Sequence, residues 1–195
     1  MTTKTTTVIV GGVAGGMSTA ARLRRRDETM DIIVLEASGH VSFANCGLPY
    51  HVSGVIPERR SLLLQTPESL AARFNLDVRV NTRATAIDRE QQTVTTDTGD
   101  TIAYDHLVLS PGATPIIPPI PGIERALHLR TIEDVDAIIA ALTDDVASVA
   151  IIGGGFIGLE VAENMRHRGL DVTVIERAPQ ILTPLDEEMA AIVEK

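Results

Sequence analysis

A chain of 195 residues, 44% hydrophobic and 22% charged, has the apolar content of one or two folded α/β units and is not a disordered polymer. Its net charge of −9 and its 3% aromatic content, without tryptophan, exclude a basic or base-stacking nucleic-acid face and argue against an anionic membrane surface. One cysteine cannot close an internal disulfide, no apolar run nears the roughly 20 residues that span a bilayer, and the opening MTTKTTTVIV lacks a signal-peptide core, so a cytoplasmic protein is expected.

The β-branched run Thr7–Val10 stops at Gly11-Gly12 and reads as a strand. AGGMSTAARLRRR follows as a good helix former, and Asp31–Ser38 reads as a second strand. Strand, helix, strand opens a doubly wound parallel sheet. TPESLAARFN predicts a helix with Thr66 as its cap and Pro67 at its first position. LDVRV, ATAIDRE, QTVTTDTG and DTIAYDHLVLS are short strand-like runs. Their Thr-rich alternation and the turn Asp97–Asp100 predict a small antiparallel insert. Ser110–Ile123 holds five of the ten prolines and reads as a linker. TIEDVDAIIAALTDD predicts an amphipathic helix opened by Thr131.

ASVAIIGGGFIGLEVAENMRHRGLDVTVIERAP then repeats the opening plan. A strand ends at Gly153, a helix runs to Arg168, and a strand covers Asp171–Glu176. Gly11 and Gly153 lie 142 positions apart, and Glu36 and Glu176 lie 140 apart, so the chain carries two copies of one nucleotide-binding opening. The expected fold is α/β, with two Rossmann-like dinucleotide-binding units. The first, 1–115, is an incomplete unit with the β insert; 116–147 is linker and connecting helix; 148–195 begins the second unit. LDEEMAAIVEK opens a helix where the chain stops, and a second sheet without further strands has unpaired edges. A fragment of a longer protein is expected.

The chemistry of each copy follows from the turn. A glycine-lined strand-to-helix turn lets a pyrophosphate approach the backbone and the positive end of the helix. An acid closing the second strand accepts hydrogen bonds from the ribose hydroxyls. The second copy supplies Gly153, Gly155, Gly158 and Glu176, with 23 residues from first glycine to acid. Glu176 repels a 2′-phosphate and favours NADH; Arg177 beside it softens that preference and leaves NADPH as an alternative. In the first copy, GGVAGG, Gly11 and Gly16 fit and Val13 takes the middle glycine's place. Gly12, Ala14 and Gly15 keep the turn slim, and Glu36 supplies the acid.

These two cradles, the loop SFANCGLPYHVSG (Ser42–Gly54) and YDHLVLSPGATP (Tyr104–Pro115) together resemble the FAD-dependent pyridine nucleotide-disulfide oxidoreductases over essentially the whole chain. The resemblance implies FAD on the first cradle and NADH or NADPH on the second. It places Ser110 and Gly112 in the strand and loop that close over the flavin. One cysteine in place of the usual pair resembles the single-cysteine branch: coenzyme A-disulfide reductases, CoA-persulfide reductases, NADH oxidases and NADH peroxidases. The resemblance makes Cys46 the redox partner of the flavin, cycling between thiolate and a mixed disulfide with CoA or a sulfenic acid.

Around Cys46, Ser42 and Asn45 are near enough in sequence to offer hydrogen bonds to sulfur or substrate, with Tyr50 a third candidate. A short helix beginning after Cys46 would favour the thiolate through its amino end. The oxidases and peroxidases commonly carry a histidine in the first cradle, where this chain has Ala14; the missing base shifts the weight to thiol substrates. His40 and His51 read as solvated. Arg22 matches a CoA-contacting position, and Arg60 is a second candidate for the CoA phosphates. Arg24, Arg25 and Arg26 read as a solvated helix end. Glu160 is expected near the nicotinamide or the flavin edge. No metal site is expected. The implied partner is CoA disulfide or persulfide, with a homodimeric full-length parent and neither nucleic acid nor membrane. With the family's dimerisation domain missing, the chain alone is expected to oxidise NADH poorly. An NADH oxidase or peroxidase, and a non-catalytic nucleotide-binding module, stay open as alternatives.

Overall fold

A computed structural model describes residues 4–194. Its elements run β1 (Thr6–Val10), α1 (Ala14–Arg26), β2 (Asp31–Leu35), α2 (Leu48–Ser53), α3 (Pro67–Phe74), β3 (Asp77–Arg79), β4 (Ala84–Asp88), β5 (Thr93–Thr96), β6 (Thr101–Ala103), β7 (His106–Leu109), α4 (Ile132–Ala141), β8 (Ser148–Ile152), α5 (Phe156–His167), β9 (Asp171–Ile175) and α6 (Glu187–Val193). Short 3-10 turns occupy Asn45–Gly47, Arg59–Leu62 and Ile123–Arg125. Two compact units result: residues through Ala44 with Leu62–Ile116, and Asn45–Ser61 with the chain from Ile117 onward.

The first unit is built on a parallel sheet of order β3-β2-β1-β7. Val8 stands opposite Ile33 on one side and Leu107 on the other. Successive side chains point to opposite faces, so the apolar runs fill two cores. On one face Ile9, Ile32 and Val34 pack with Met17 and Ala20 of α1 and with Leu70 of α3. On the other, Val8 and Leu35 meet Val94 and Ile102 of the antiparallel sheet β4-β5-β6. Each buried aliphatic side chain contributes about 2 kcal/mol. The strand-like runs after α3 therefore divide: only β4 to β6 form the insert, while β3 and β7 extend the parallel sheet. Thr66 caps α3 in a reciprocal box with Ser69, and Asn75 ends it in the left-handed conformation at φ 49.

β2 ends at Leu35, short of the expected Ser38. From Glu36 the backbone leaves the ladder: its N–H donates to Arg79 O, and its C=O accepts from Thr82 N–H.

In the second unit β8 and β9 pair in parallel, with Ala150 opposite Thr173, and α5 packs on both. Thr131 and Asp134 form the capping box that opens α4. The last segment of the first unit ends at Ile116, and the chain from Ile117 belongs to the second. Residues 45–61, expected inside the first unit, instead group with the second, because α2 packs against α4 and α5. Among the described residues no helix is long and apolar enough to cross a membrane.

Candidate functional site

Gly11 follows β1 at φ 100 and donates its N–H to Leu35 O at 2.8 Å. A Cβ there would lie 1.9 Å from Ser110 O, and one on Gly16 would lie 1.7 Å from Gly11 O. Both positions demand glycine on steric grounds. Gly15 is looser, its Cβ position 3.2 Å from Ser110 Oγ. Val13 caps α1 without a side-chain hydrogen bond, and the first turn from Ala14 holds no acid. The leading N–H groups of this thirteen-residue helix thus lack side-chain acceptors, as an anion cradle requires. Ser110 donates its N–H to Val10 O, and Gly112 turns the chain beyond it at φ 72.

Glu36 is buried beneath this loop. Its Oε2 accepts from Gly12 N–H at 2.7 Å and its Oε1 from Ser38 N–H at 2.8 Å. The carboxylate is thus a backbone bracket between Gly12 and Ser38.

The second cradle reproduces this arrangement. Gly153, at φ 105, donates to Ile175 O at 2.8 Å, and a Cβ on Gly158 would lie 2.1 Å from Gly153 O. Glu176 Oε2 accepts from Gly154 N–H at 2.7 Å and Oε1 from Ala178 N–H at 2.7 Å. The N–H groups of Ala178 and then Gly154 hold its carboxyl below the usual glutamate value. Gly155 caps α5, again without a side-chain bond or a first-turn acid, and a Cβ on it would meet nothing within 4 Å. The space above Gly155 is therefore open.

The repeat reaches beyond the acids. Five residues after Glu36, Val41 Cγ1 lies 2.8 Å from the Cβ position of Gly12; five residues after Glu176, Ile181 Cγ2 lies 2.6 Å from that of Gly154. Ser42 and Leu182 both adopt φ 48, and they donate their N–H groups to Gly12 O and Gly154 O at 3.0 and 2.9 Å. The sequence reading missed Val41, Ile181 and Leu182, and it singled out Ser42 for its nearness to Cys46 and not for this hydrogen bond, although the 140-residue spacing of each pair matches that of the acids. Ser42 holds the first cradle through its backbone, and its C=O accepts from Leu64 N–H.

In the second unit Cys46 is exposed in the middle of the turn Asn45–Gly47, so α2 begins two residues beyond it. It lines a pocket of about 140 Å³ with Asn45, Leu48 and Pro49 from its own segment. Leu129 and Arg130, before α4, and Ile157 and Glu160 of α5 complete the wall. Asn45, Cys46 and Glu160 are therefore brought together. Leu129, Arg130 and Ile157 were not singled out from the sequence; residue type carries no signal at these positions, because only the packing of α2 on α4 and α5 brings them to the thiol.

Arg22 is exposed on α1, and Arg60 is 85% exposed beside Glu58 at 3.6 Å. Two readings need correction. Arg24 is not solvated: it is 8% exposed and donates to Phe74 O, Asn75 O, Asp27 O and Glu28 O. His51 is buried, its Nδ1–H donating to Ile56 O at 2.6 Å. Among the described residues no three His, Cys, Asp or Glu side chains gather as a metal site.

Two strand-glycine-helix-strand-acid cradles on parallel strands define a paired dinucleotide-binding protein of the α/β class. The chain belongs to the pyridine nucleotide-disulphide oxidoreductase family, whose model matches residues 5–195. It is 39% identical over 188 residues to a coenzyme A disulfide reductase of Staphylococcus epidermidis, covering 93% of this chain and 43% of that protein. It is 36% identical over 196 residues to an NADH oxidase of Methanocaldococcus jannaschii, covering 96% and 44%. The crystal structure of reduced Bacillus anthracis CoADR-RHD superposes with a TM-score of 0.93 at 50% identity, covering 98% of this chain and 36% of that one. The chain thus spans less than half the length of the curated relatives it matches.

Proposed function

We propose that the protein carrying this chain is an FAD-dependent NAD(P)H oxidoreductase that reduces CoA disulfide or CoA persulfide through Cys46. The observation that carries the reading is the exposed thiol in a pocket shared with Asn45 and Glu160, in a chain with two glycine cradles.

FAD is assigned to the first cradle, where Gly11, Gly12, Val13, Ala14, Gly15 and Gly16 form the turn, Glu36 faces the ribose, and Ser110 and Gly112 flank the loop. The fit rests on the glycines that admit no Cβ and on the uncapped start of α1. NADH is assigned to Gly153, Gly155, Gly158 and Glu176, where the space above Gly155 is open; NADPH is the alternative carrier. Glu160 faces the reacting end of the site.

The Cys46 thiolate attacks one sulfur of CoA disulfide, forming a mixed disulfide on Cys46 and expelling one CoA thiolate. Asn45 orients the incoming sulfur, Ser42 shapes the loop ahead of it, and Arg22 and Arg60 take phosphates of CoA. Bound FAD would supply the two electrons, drawn from NADH, that break the mixed disulfide, restoring the Cys46 thiolate and releasing the second CoA as a thiolate. A cytoplasmic, homodimeric parent enzyme completes the reading.

The M. jannaschii relative favours a second reading, an NADH oxidase. Ala14 weighs against it, because a methyl group supplies no base for peroxide chemistry. The test is NADH consumption by the full-length parent with CoA disulfide, with oxygen and with peroxide. Consumption that requires CoA disulfide and vanishes in Cys46→Ser supports the reductase. Oxygen or peroxide consumption without disulfide activity supports the oxidase, and unchanged behaviour of Cys46→Ser overturns both.

A further inference from the structure

The walls of the Cys46 pocket come from three places: the turn before α2 with the first two residues of that helix, the two residues before the cap of α4, and the first two turns of α5. Two guanidinium groups tie these elements together. Arg59 lies on the same 45–61 segment as Cys46. Its Nε donates to Asp136 Oδ1 at 2.8 Å and its Nη2 to Asp136 Oδ2 at 2.7 Å. Asp136 is on α4, and the opening of that helix carries Arg130 with it, since Arg130 N–H donates to Asp134 Oδ2 at 2.9 Å. At the other end, Arg168 caps α5 and donates from Nη1 to Val52 O of α2 at 2.9 Å.

The Arg59–Asp136 geometry is a planar fork meeting a carboxylate, which a lysine cannot copy. Both partners are 41% exposed, so the pair adds little to stability. Its effect is geometric: it fixes the thiol-bearing segment against α4, while Arg168 fixes α5 against α2. In a pocket of about 140 Å³, a shift of about 1 Å in one wall changes which disulfides reach the sulfur.

We propose that Arg59 and Arg168 are positioning residues that set the width of the Cys46 pocket, and hence the size of disulfide it admits. The inference rests on Cys46 being the reactive group of the proposed function.

The experiment is the reaction of Cys46, in the 195-residue chain, with iodoacetamide and with the bulky disulfide DTNB across a pH series. Wild type, Arg59→Gln, Asp136→Asn, the double variant, Arg59→Lys and Arg168→Gln are compared, with circular dichroism confirming the fold. The ratio of the two rates should move by about fivefold or more in Arg59→Gln, Asp136→Asn and Arg168→Gln. The double variant should move no further than either single one, and Arg59→Lys should fall between wild type and Arg59→Gln. If both rates change together in every variant, with ratio and pH profile kept, the arginines are merely structural and the proposal is overturned. A wild-type Cys46 that reacts with neither probe overturns the functional reading, and this inference with it.

Discussion

Gly12 donates its backbone N–H to Glu36 Oε2 at 2.7 Å, fastening the turn after β1 to the residue that follows β2. The other carboxylate oxygen takes Ser38 N–H. A side chain assigned to ribose recognition is thus also part of the scaffold that shapes the phosphate turn. Glu36→Ala leaves two backbone donors without acceptors, the Gly12 donor in a buried setting, and should cost about 2 kcal/mol in urea unfolding. Glu176→Ala should cost less, because Glu176 is only half-buried and water can replace it. Equal losses at the two positions would show that burial of the bracket is immaterial.

Glu176 gives a pH signature. Ala178 and Gly154 N–H groups hold its carboxyl below the ordinary value of 4.5. A folded-state pKa below the unfolded one means that the stabilisation is fully present above the unfolded value and is lost as pH falls through the folded value. The urea midpoints of wild type and Glu176→Gln should therefore differ by a constant amount near neutrality. Below a pH of about 4.5 the two curves should converge. A gap that persists into acid would contradict this.

The second cradle separates folding from binding. Gly158 and Gly155 belong to the same motif but face different surroundings. A Cβ on Gly158 would sit 2.1 Å from Gly153 O, whereas one on Gly155 meets nothing and the backbone there is extended at φ −79. Gly158→Ala should destabilise the second unit by about 3 kcal/mol. Gly155→Ala should leave the thermal midpoint unchanged while weakening NADH binding by about tenfold or more, because its methyl group occupies the space assigned to the pyrophosphate. Calorimetric titration of both variants with NADH checks the contrast.

The cradles were legible in the sequence because their requirements are local. A strand, a glycine that tolerates positive φ, a helix start and an acid lie within one β-α-β unit, and the backbone enforces their types. The same locality made the helix caps Thr66 and Thr131 readable. What was not legible depends on distant partners. The segment 45–61 groups away from its sequence neighbours because α2 packs on α4 and α5, and no residue in it announces that. LDVRV reads as one more strand of the insert until β2 is seen to pair with it. Arg130 enters the pocket only through that packing.

The run of arginines at the end of α1 shows the same limit most sharply. Arg22, Arg24, Arg25 and Arg26 look alike in sequence, yet Arg24 is buried while its three neighbours are exposed. Its guanidinium fills a gap between the end of α1 and the end of α3, donating to four backbone carbonyls: Asp27 and Glu28 beside it, Phe74 and Asn75 some fifty residues away. The Phe74 and Asn75 carbonyls lie where α3 ends and its last acceptors lack intrahelical donors. Arg24→Ala should therefore cost about 3 kcal/mol, since four part-buried hydrogen bonds are lost and the space of a buried side chain empties. Arg24→Lys should recover less than half of that, because one ammonium cannot span carbonyls from two chain segments. Arg25→Ala should fall within about 0.5 kcal/mol of wild type in the same urea titration. If Arg24→Ala behaves like Arg25→Ala, the guanidinium is not the bridge between these helix ends, and the stability of the first unit rests on its apolar cores alone.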